Sequence, residues 1–308
     1  MGRKEGTKAV RRALERLQRA RFAPALSLPE AAAQILARHG VDLSRARARA
    51  GFSRGHLLDV VVYVPGGLGD VHEREAAQDF VQLLVGEELF ERWVGTVSVT
   101  PGARTGPLAV INANSEEHSA LPISSLLEAV RAAVAGLKLG LPGEPLASHS
   151  EAEDWVLFEL SPEPAPDYAA QDDLVLLSTR LPELKKSFLR GEPFFSGRFS
   201  NFGELFTYLK YESAPLSSDA RLAERAALES ELLRVLRPED GALVGLGLGV
   251  RYGYLDLALA EPECVEGRLL PALCAAGIAK RAWLLFCDSE LEREWIPVHA
   301  DAPAPFFG

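Results

Sequence analysis

The stretch from residue 57 to residue 95 constrains this chain more than any other. Leu58, Asp59, Val60, Val61, Val62, Tyr63 and Val64 are rich in β-branched side chains and read as a strand buried on both faces. Pro65, Gly66, Gly67, Leu68, Gly69 and Asp70 break that run, and a helical period follows from about Val71 to Arg92. A second apolar run then begins at Trp93. Strand, loop, helix and strand in this order require a sheet with helices packed on it, so an α+β protein is expected.

The phrase continues as strand 93–100, strand 107–113, helix 121–139 and strand 154–161. Ala76, Phe80, Leu83 and Leu84 share one helical face, and Leu126, Leu127, Val130, Val134 and Leu137 share another. Residues 101–106 form a hairpin-type connection. This βαββαβ order is the ferredoxin-like one, an antiparallel sheet with both helices on one face. A proline-rich break at 161–166 follows, and then the order returns. Asp173, Leu174, Val175 and Leu176 repeat Asp59, Val60, Val61 and Val62. Val244 and Gly245 repeat Val94 and Gly95; Gly253, Tyr254 and Leu255 repeat Gly106, Pro107 and Leu108. Ala275 to Ile278 parallels Val134 to Leu137, and Trp283, Leu284, Leu285 and Phe286 repeat Trp155, Val156, Leu157 and Phe158. The expected organisation is tandem ferredoxin-like units: a basic helical arm at 1–55, a first unit at 56–165 and a second at 166–308. The second carries a helical, aromatic-rich insert at 179–240. Within it Phe199, Phe202, Phe206 and Leu209 fall at helical spacing and predict an amphipathic helix. Residues 217–236 predict another, with Leu222, Ala226, Leu233 and Leu236 inward.

Charge is distributed unevenly. Residues 1–55 hold thirteen Lys/Arg and four Asp/Glu, a balance of +9; the remainder holds twenty and thirty-nine, a balance of −19. An acidic body repels nucleic acid and anionic membranes and favours basic protein partners. No apolar run approaches the roughly 20 residues of a membrane helix. A hydrophobic share of 47% with 25% charged residues is that of a globular protein. Cys264, Cys274 and Cys287 lie in apolar segments at no metal or redox spacing, as expected of buried free thiols in a reducing cytoplasm.

In the arm, Val10, Ala13, Leu14 and Leu17 lie at helical spacing among arginines, a short basic amphipathic helix. Ser27 and Glu30 have capping-box spacing before a helix that should end near Arg38, with Gly40 beyond it. Ile35 to Gly40 followed by Ala50, Gly51, Phe52, Ser53, Arg54 and Gly55 resembles the helix-turn-helix of Tet-repressor-type regulators. That resemblance implies DNA contact by the arm. The two halves are closer together here than in that family, and a strand follows where a further helix belongs. Docking of the arm on the acidic body or on a partner subunit is the competing expectation.

The loop Gly66, Gly67, Leu68, Gly69, Asp70 is the strongest local candidate for binding. A helix N-terminus beside glycines can cradle an anion through backbone N–H groups. Gly66, Gly67, Gly69, Asp70 and His72 are therefore the ligand-binding candidates. With Leu68 and Val71 the loop resembles the sugar-nucleotide loop of glycogen and starch synthases, which carries a lysine where this chain has Val64. It has neither a P-loop ending nor dinucleotide-loop spacing, so a strand-to-helix turn capped by Asp70 is the plainer reading. Gly245, Gly247 and Gly249 alternate within a strand and leave one face bare for close packing. Asp70, His72, Glu73 and Glu75 cluster, but a zincin helix needs His at Ala76. Asp172 with Asp173, and Glu239 with Asp240, precede strands and read as boundary residues.

No catalytic constellation, cofactor motif or metal motif emerges. The expected function is that of a cytoplasmic, non-enzymatic binding protein, in a specific form an acidic immunity- or antitoxin-like inhibitor of a basic protein. Phe194, Phe195, Phe199, Phe202, Tyr208 and Tyr211 are the partner-binding candidates, because aromatics dominate interface hot spots. The alternatives are an enzyme or small-ligand sensor using a groove between the two units, and nucleic-acid binding through the arm. A homo-oligomer is compatible with all three.

Overall fold

The computed structural model describes residues 22–67, 69–102, 119–148, 155–213 and 218–307. The basic amphipathic helix expected before residue 21 and the strand expected at 107–113 lie outside the described residues. The fold is mixed α+β, with two sheets in two compact units, Arg21–Gly140 and Leu141–Gly308.

The first unit opens with α1 (Leu28–His39), where the Glu30 carboxylate accepts from the Ser27 backbone N–H at 3.1 Å and from its hydroxyl at 2.6 Å. Gly40 ends α1 in the left-handed conformation at φ 68°. Next come β1 (Arg47–Phe52), β2 (Leu58–Pro65), α2 (Val71–Val85), α3 (Glu87–Trp93), β3 (Val94–Gly102), the short β4 (Leu121–Pro122) and α4 (Leu126–Gly140). Residues 50–55, the second half of the helix-turn-helix resemblance, are therefore the end of β1 and a short 3-10 turn, and offer no recognition helix. The sheet order is β3-β2-β1-β4, with β2 and β3 parallel and β1 antiparallel to both its neighbours. α2 buries Ala76, Phe80 and Leu84, and α4 buries Val130 and Val134.

The second unit holds β5 (Val156–Glu159), β6 (Leu174–Thr179), α5 (Pro182–Leu189), β7 (Leu205–Glu212), α6 (Ser218–Val235), β8 (Gly241–Gly249) and β9 (Tyr252–Leu259). A π-helical turn (Val265–Leu269) leads into α7 (Leu270–Ala275), and β10 (Ala282–Phe286) and β11 (Trp295–Pro297) complete it. The seven strands run β11-β10-β7-β9-β8-β6-β5, antiparallel at every pairing.

Neither sheet follows a ferredoxin-like copy. In the split βαβ arrangement the two strands flanking the first helix are separated by another strand, whereas β2 and β3 pair directly. The strand expected to close the first copy is β5, and it pairs with β6 in the second unit. In place of the expected helix over Phe199 to Leu209, a 3-10 turn (Ser196–Arg198) is followed by an irregular stretch and then by the interior strand β7. Its aromatic spacing fits a helix, but Leu205, Leu209 and Tyr211 pack into one core and Phe206 and Tyr208 into the other. A strand between two cores must be apolar on both faces, and that continuous apolarity imitates helical spacing. The helix expected at 217–236 is present as α6, but it turns Leu228 and Leu232 into the core, while Leu222, Ala226 and Leu233, expected inward, are exposed and Leu236 is half-buried.

The alternate glycines of β8 do leave a face for close packing. A Cβ on Gly245 would strike the Asp256 carboxylate, one on Gly247 would lie 2.7 Å from Leu174, and one on Gly249 would strike Asp173.

Candidate functional site

The loop after β2 supplies its own anion. Gly66 and Gly69 adopt φ +73° and +69°, which glycine reaches without strain and which brings the chain into α2. Asp70 caps that helix, its Oδ1 accepting the Glu73 N–H at 2.8 Å. The Glu73 carboxylate turns back to accept the Gly69 N–H at 2.6 Å. A Cβ on Gly67 would lie 2.9 Å from Val64 Cβ and 3.0 Å from Glu73 Oε2, so this glycine makes room for the carboxylate. His72 leaves the loop altogether, its Nε2 lying 2.7 Å from the His39 carbonyl at the end of α1. The positive end of the helix is thus met by chain carboxylates, and an external anion would face two of them.

The aromatic candidates are mostly interior. Phe194 and Phe199 stack at 5.2 Å, and both belong with Tyr208 to the core on one face of the seven-stranded sheet. Tyr211 lies in the core on the opposite face. Phe195 is half-buried and Phe202 is exposed, so these two are the rings with surface to offer.

The densest chemistry lies beneath one face of that sheet. Lys185 on α5 is buried, with its ammonium 2.8 Å from Asp256 Oδ2 on β9 and donating to Gln171 Oε1 at 2.5 Å. Gln171 Nε2 closes the triangle by donating to Asp256 Oδ1 at 2.8 Å. Asp173, also buried, accepts the backbone N–H groups of Arg251 at 2.8 Å and Tyr252 at 2.9 Å, and the Tyr254 hydroxyl. Lys210 on β7 donates to the Tyr168 carbonyl at 2.5 Å and lies 4.3 Å from the centre of the Tyr252 ring. Burial pulls its ammonium down to about 8, against the pull of the aspartates around it. Each of these buried charges has a partner, as the cost of desolvating a bare ion demands.

Above this floor opens a cleft of about 560 Å³, walled by Leu160, Leu174, Leu189 and Phe306 and bearing Glu163, Asp167, Asp172 and Gln171. Burial tends to raise the Asp167 carboxyl, but the Tyr252 hydroxyl at 2.6 Å, the Tyr168 N–H and the arginines 251 and 281 outweigh it and hold it low. Asp172 goes the other way: burial pushes its carboxyl up, Lys210 opposes this and Asp173 reinforces it. An apolar wall with ionised carboxylates at its rim accommodates a cation and repels an anion. In the sequence Asp172 and Asp173 read as one boundary pair. Folding separates their roles, with Asp173 bonded inside and Asp172 facing the cleft. Both residues lie in the turn before β6, so no periodic pattern in the sequence separates them.

Among the described residues no group of three or more His, Cys, Asp or Glu side chains could hold a metal ion, and no helix is long and apolar enough to cross a membrane. A scan against protein-family models, a search of curated proteins and a search of solved structures each returned no match.

Proposed function

We propose that this chain is a non-enzymatic binding protein that engages a protein with a basic surface, in the manner of an acidic immunity- or antitoxin-like inhibitor. The observation that carries this reading is the charge of residues 141–308, fifteen Lys/Arg against twenty-eight Asp/Glu, a balance of −13. The interior takes up little of that surplus. Among the described residues of this unit, the buried acids are Asp173, Glu204, Asp240, Asp256 and Asp288, and the buried bases are Lys185, Arg198 and Lys210. A surface with such a surplus steers a basic partner to it and discourages nucleic acid. The rigid, internally bonded floor beneath the cleft suits a preformed binding surface, which spends little free energy on ordering when a partner arrives.

The test is affinity capture on the immobilised full chain at about 10 mM and about 150 mM salt, between which the screening length falls from about 30 Å to about 8 Å. The expected result is a basic protein held at low salt, whose association rate with the purified chain falls as salt rises and whose activity is blocked at equal stoichiometry. Capture of no basic protein at low salt overturns the reading.

A further inference from the structure

We infer that the cleft beside β6 receives a basic side chain, an arginine or lysine on the surface of the protein partner, and that Asp172 and Glu163 hold its charge. This rests on the binding reading above and adds a location and a chemistry to it.

Size and wall come first. A volume of about 560 Å³ is ample for one long side chain and falls in the range of ordinary ligand pockets. The walls from Leu160, Leu174, Leu189 and Phe306 offer apolar surface to the methylene stem that both arginine and lysine carry.

Charge decides the class. Of the three carboxylates in the cleft, Asp167 is already engaged by Arg281 at 2.9 Å and by the Tyr252 hydroxyl at 2.6 Å. Among the described residues no donor makes a hydrogen bond to the carboxylate of Asp172 or of Glu163. Two anions beside an apolar wall, with their acceptor oxygens unused, are the complement of a guanidinium or ammonium on an aliphatic stem. A neutral apolar ligand would strip water from both carboxylates and return nothing, and an anion would be repelled. The raised carboxyl of Asp172 agrees with this, because an opposite charge beside it favours the ionised form that its surroundings disfavour.

The floor keeps the geometry fixed. Gln171, adjacent to Asp172, is buried and bonded at both ends of its amide, to Lys185 and to Asp256. The backbone N–H of Asp172 donates to the Ala169 carbonyl at 3.0 Å. Asp172 is therefore presented from a turn that is anchored on both sides.

The experiment uses the full chain and its Asp172→Asn and Glu163→Gln variants, each first shown to melt at the parent temperature. Two probes are titrated at about 10 mM salt: N-acetyl-arginine amide, with N-acetyl-norleucine amide as the uncharged control, followed by NMR, and nona-arginine, followed by calorimetry. The expected result is that the arginine amide, and not the norleucine amide, shifts resonances of the cleft. Both cationic probes should bind Asp172→Asn about tenfold more weakly, the scale of one charge-assisted hydrogen bond. If nona-arginine binds the parent and both variants equally, the cleft is overturned while the acidic-surface reading stands. If nona-arginine does not bind the parent at all, both are overturned.

Discussion

Lys185 and Asp256 meet at 2.8 Å inside the second unit, with the lysine side chain 2% and the aspartate side chain 10% exposed. The pair joins α5 to the central strand β9, and Gly245 on the neighbouring strand leaves the space that the Asp256 carboxylate fills. One ion pair thus ties together a helix, two strands and the floor of the cleft.

Replacing one partner should therefore cost far more than a surface pair would. Lys185→Met leaves Asp256 buried beside Gln171 alone, and stability should fall by about 3–5 kcal/mol, read from the urea midpoint. Adding Asp256→Asn to the same chain should recover part of that loss, because it removes the uncompensated charge. An unchanged midpoint in Lys185→Met would show that the pair is not buried as described.

Lys210 gives the second unit a signed pH dependence. Its ammonium is pulled from 10.5 down to about 8 by burial, so it resists charging in the folded chain. Below about pH 8 it is charged both folded and unfolded, and that charge is a cost to the fold. Between about 8 and 10.5 the unfolded chain retains a proton that the folded chain has released, so stability contributed by this group rises with pH. Burial pushes Cys264 up to about 11 and Tyr252 up to about 12, and both act in the opposite sense at higher pH. The readout is the stability of the parent minus that of Lys210→Met, which should climb from pH 7 to pH 10 by no more than about 1.4 kcal/mol per unit.

Asp70 should matter to its helix and not to an anion. Asp70→Ala removes the acceptor of the Glu73 N–H and should destabilise the first unit by about 1 kcal/mol, with faster hydrogen exchange at that amide. Sulfate or phosphate at millimolar concentration should not change the melting temperature of the parent, since the Glu73 carboxylate already occupies the Gly69 N–H.

The thiols should separate by exposure. Cys264 and Cys287 are buried, and burial pushes both thiols up; Cys274 is half-buried and donates to the Val298 carbonyl at 3.2 Å. Alkylation of the native chain followed by mass spectrometry should label one cysteine, Cys274, well before the other two. Simultaneous labelling of all three would show that the unit opens readily in solution.

What could be read in advance was local. Asp70 at the start of α2, Ser27 and Glu30 at the start of α1, and Gly40 at its end act within one turn of their own position. The strands at β2, β6, β8 and β10 carry their own β-branched and apolar runs. The segment from Phe199 to Tyr211 was ambiguous, because helical spacing and a strand apolar on both faces share a pattern. Burial on both sides, which makes β7 a strand, comes from α6 on one face and the aromatic cluster on the other.

The sequence by itself determined the α+β class, the helix caps, the acidic balance and the positions of most strands, because each depends on neighbours a few residues away. Only the tertiary structure decided that β2 pairs directly with β3, that β5 belongs to the second sheet, and that Asp173 turns inward while Asp172 faces a cleft. Strand pairing and the partnering of buried charge join residues tens of positions apart, as Lys185 does with Asp256. The free energy that selects them is that of burying whole faces and satisfying each polar group within them.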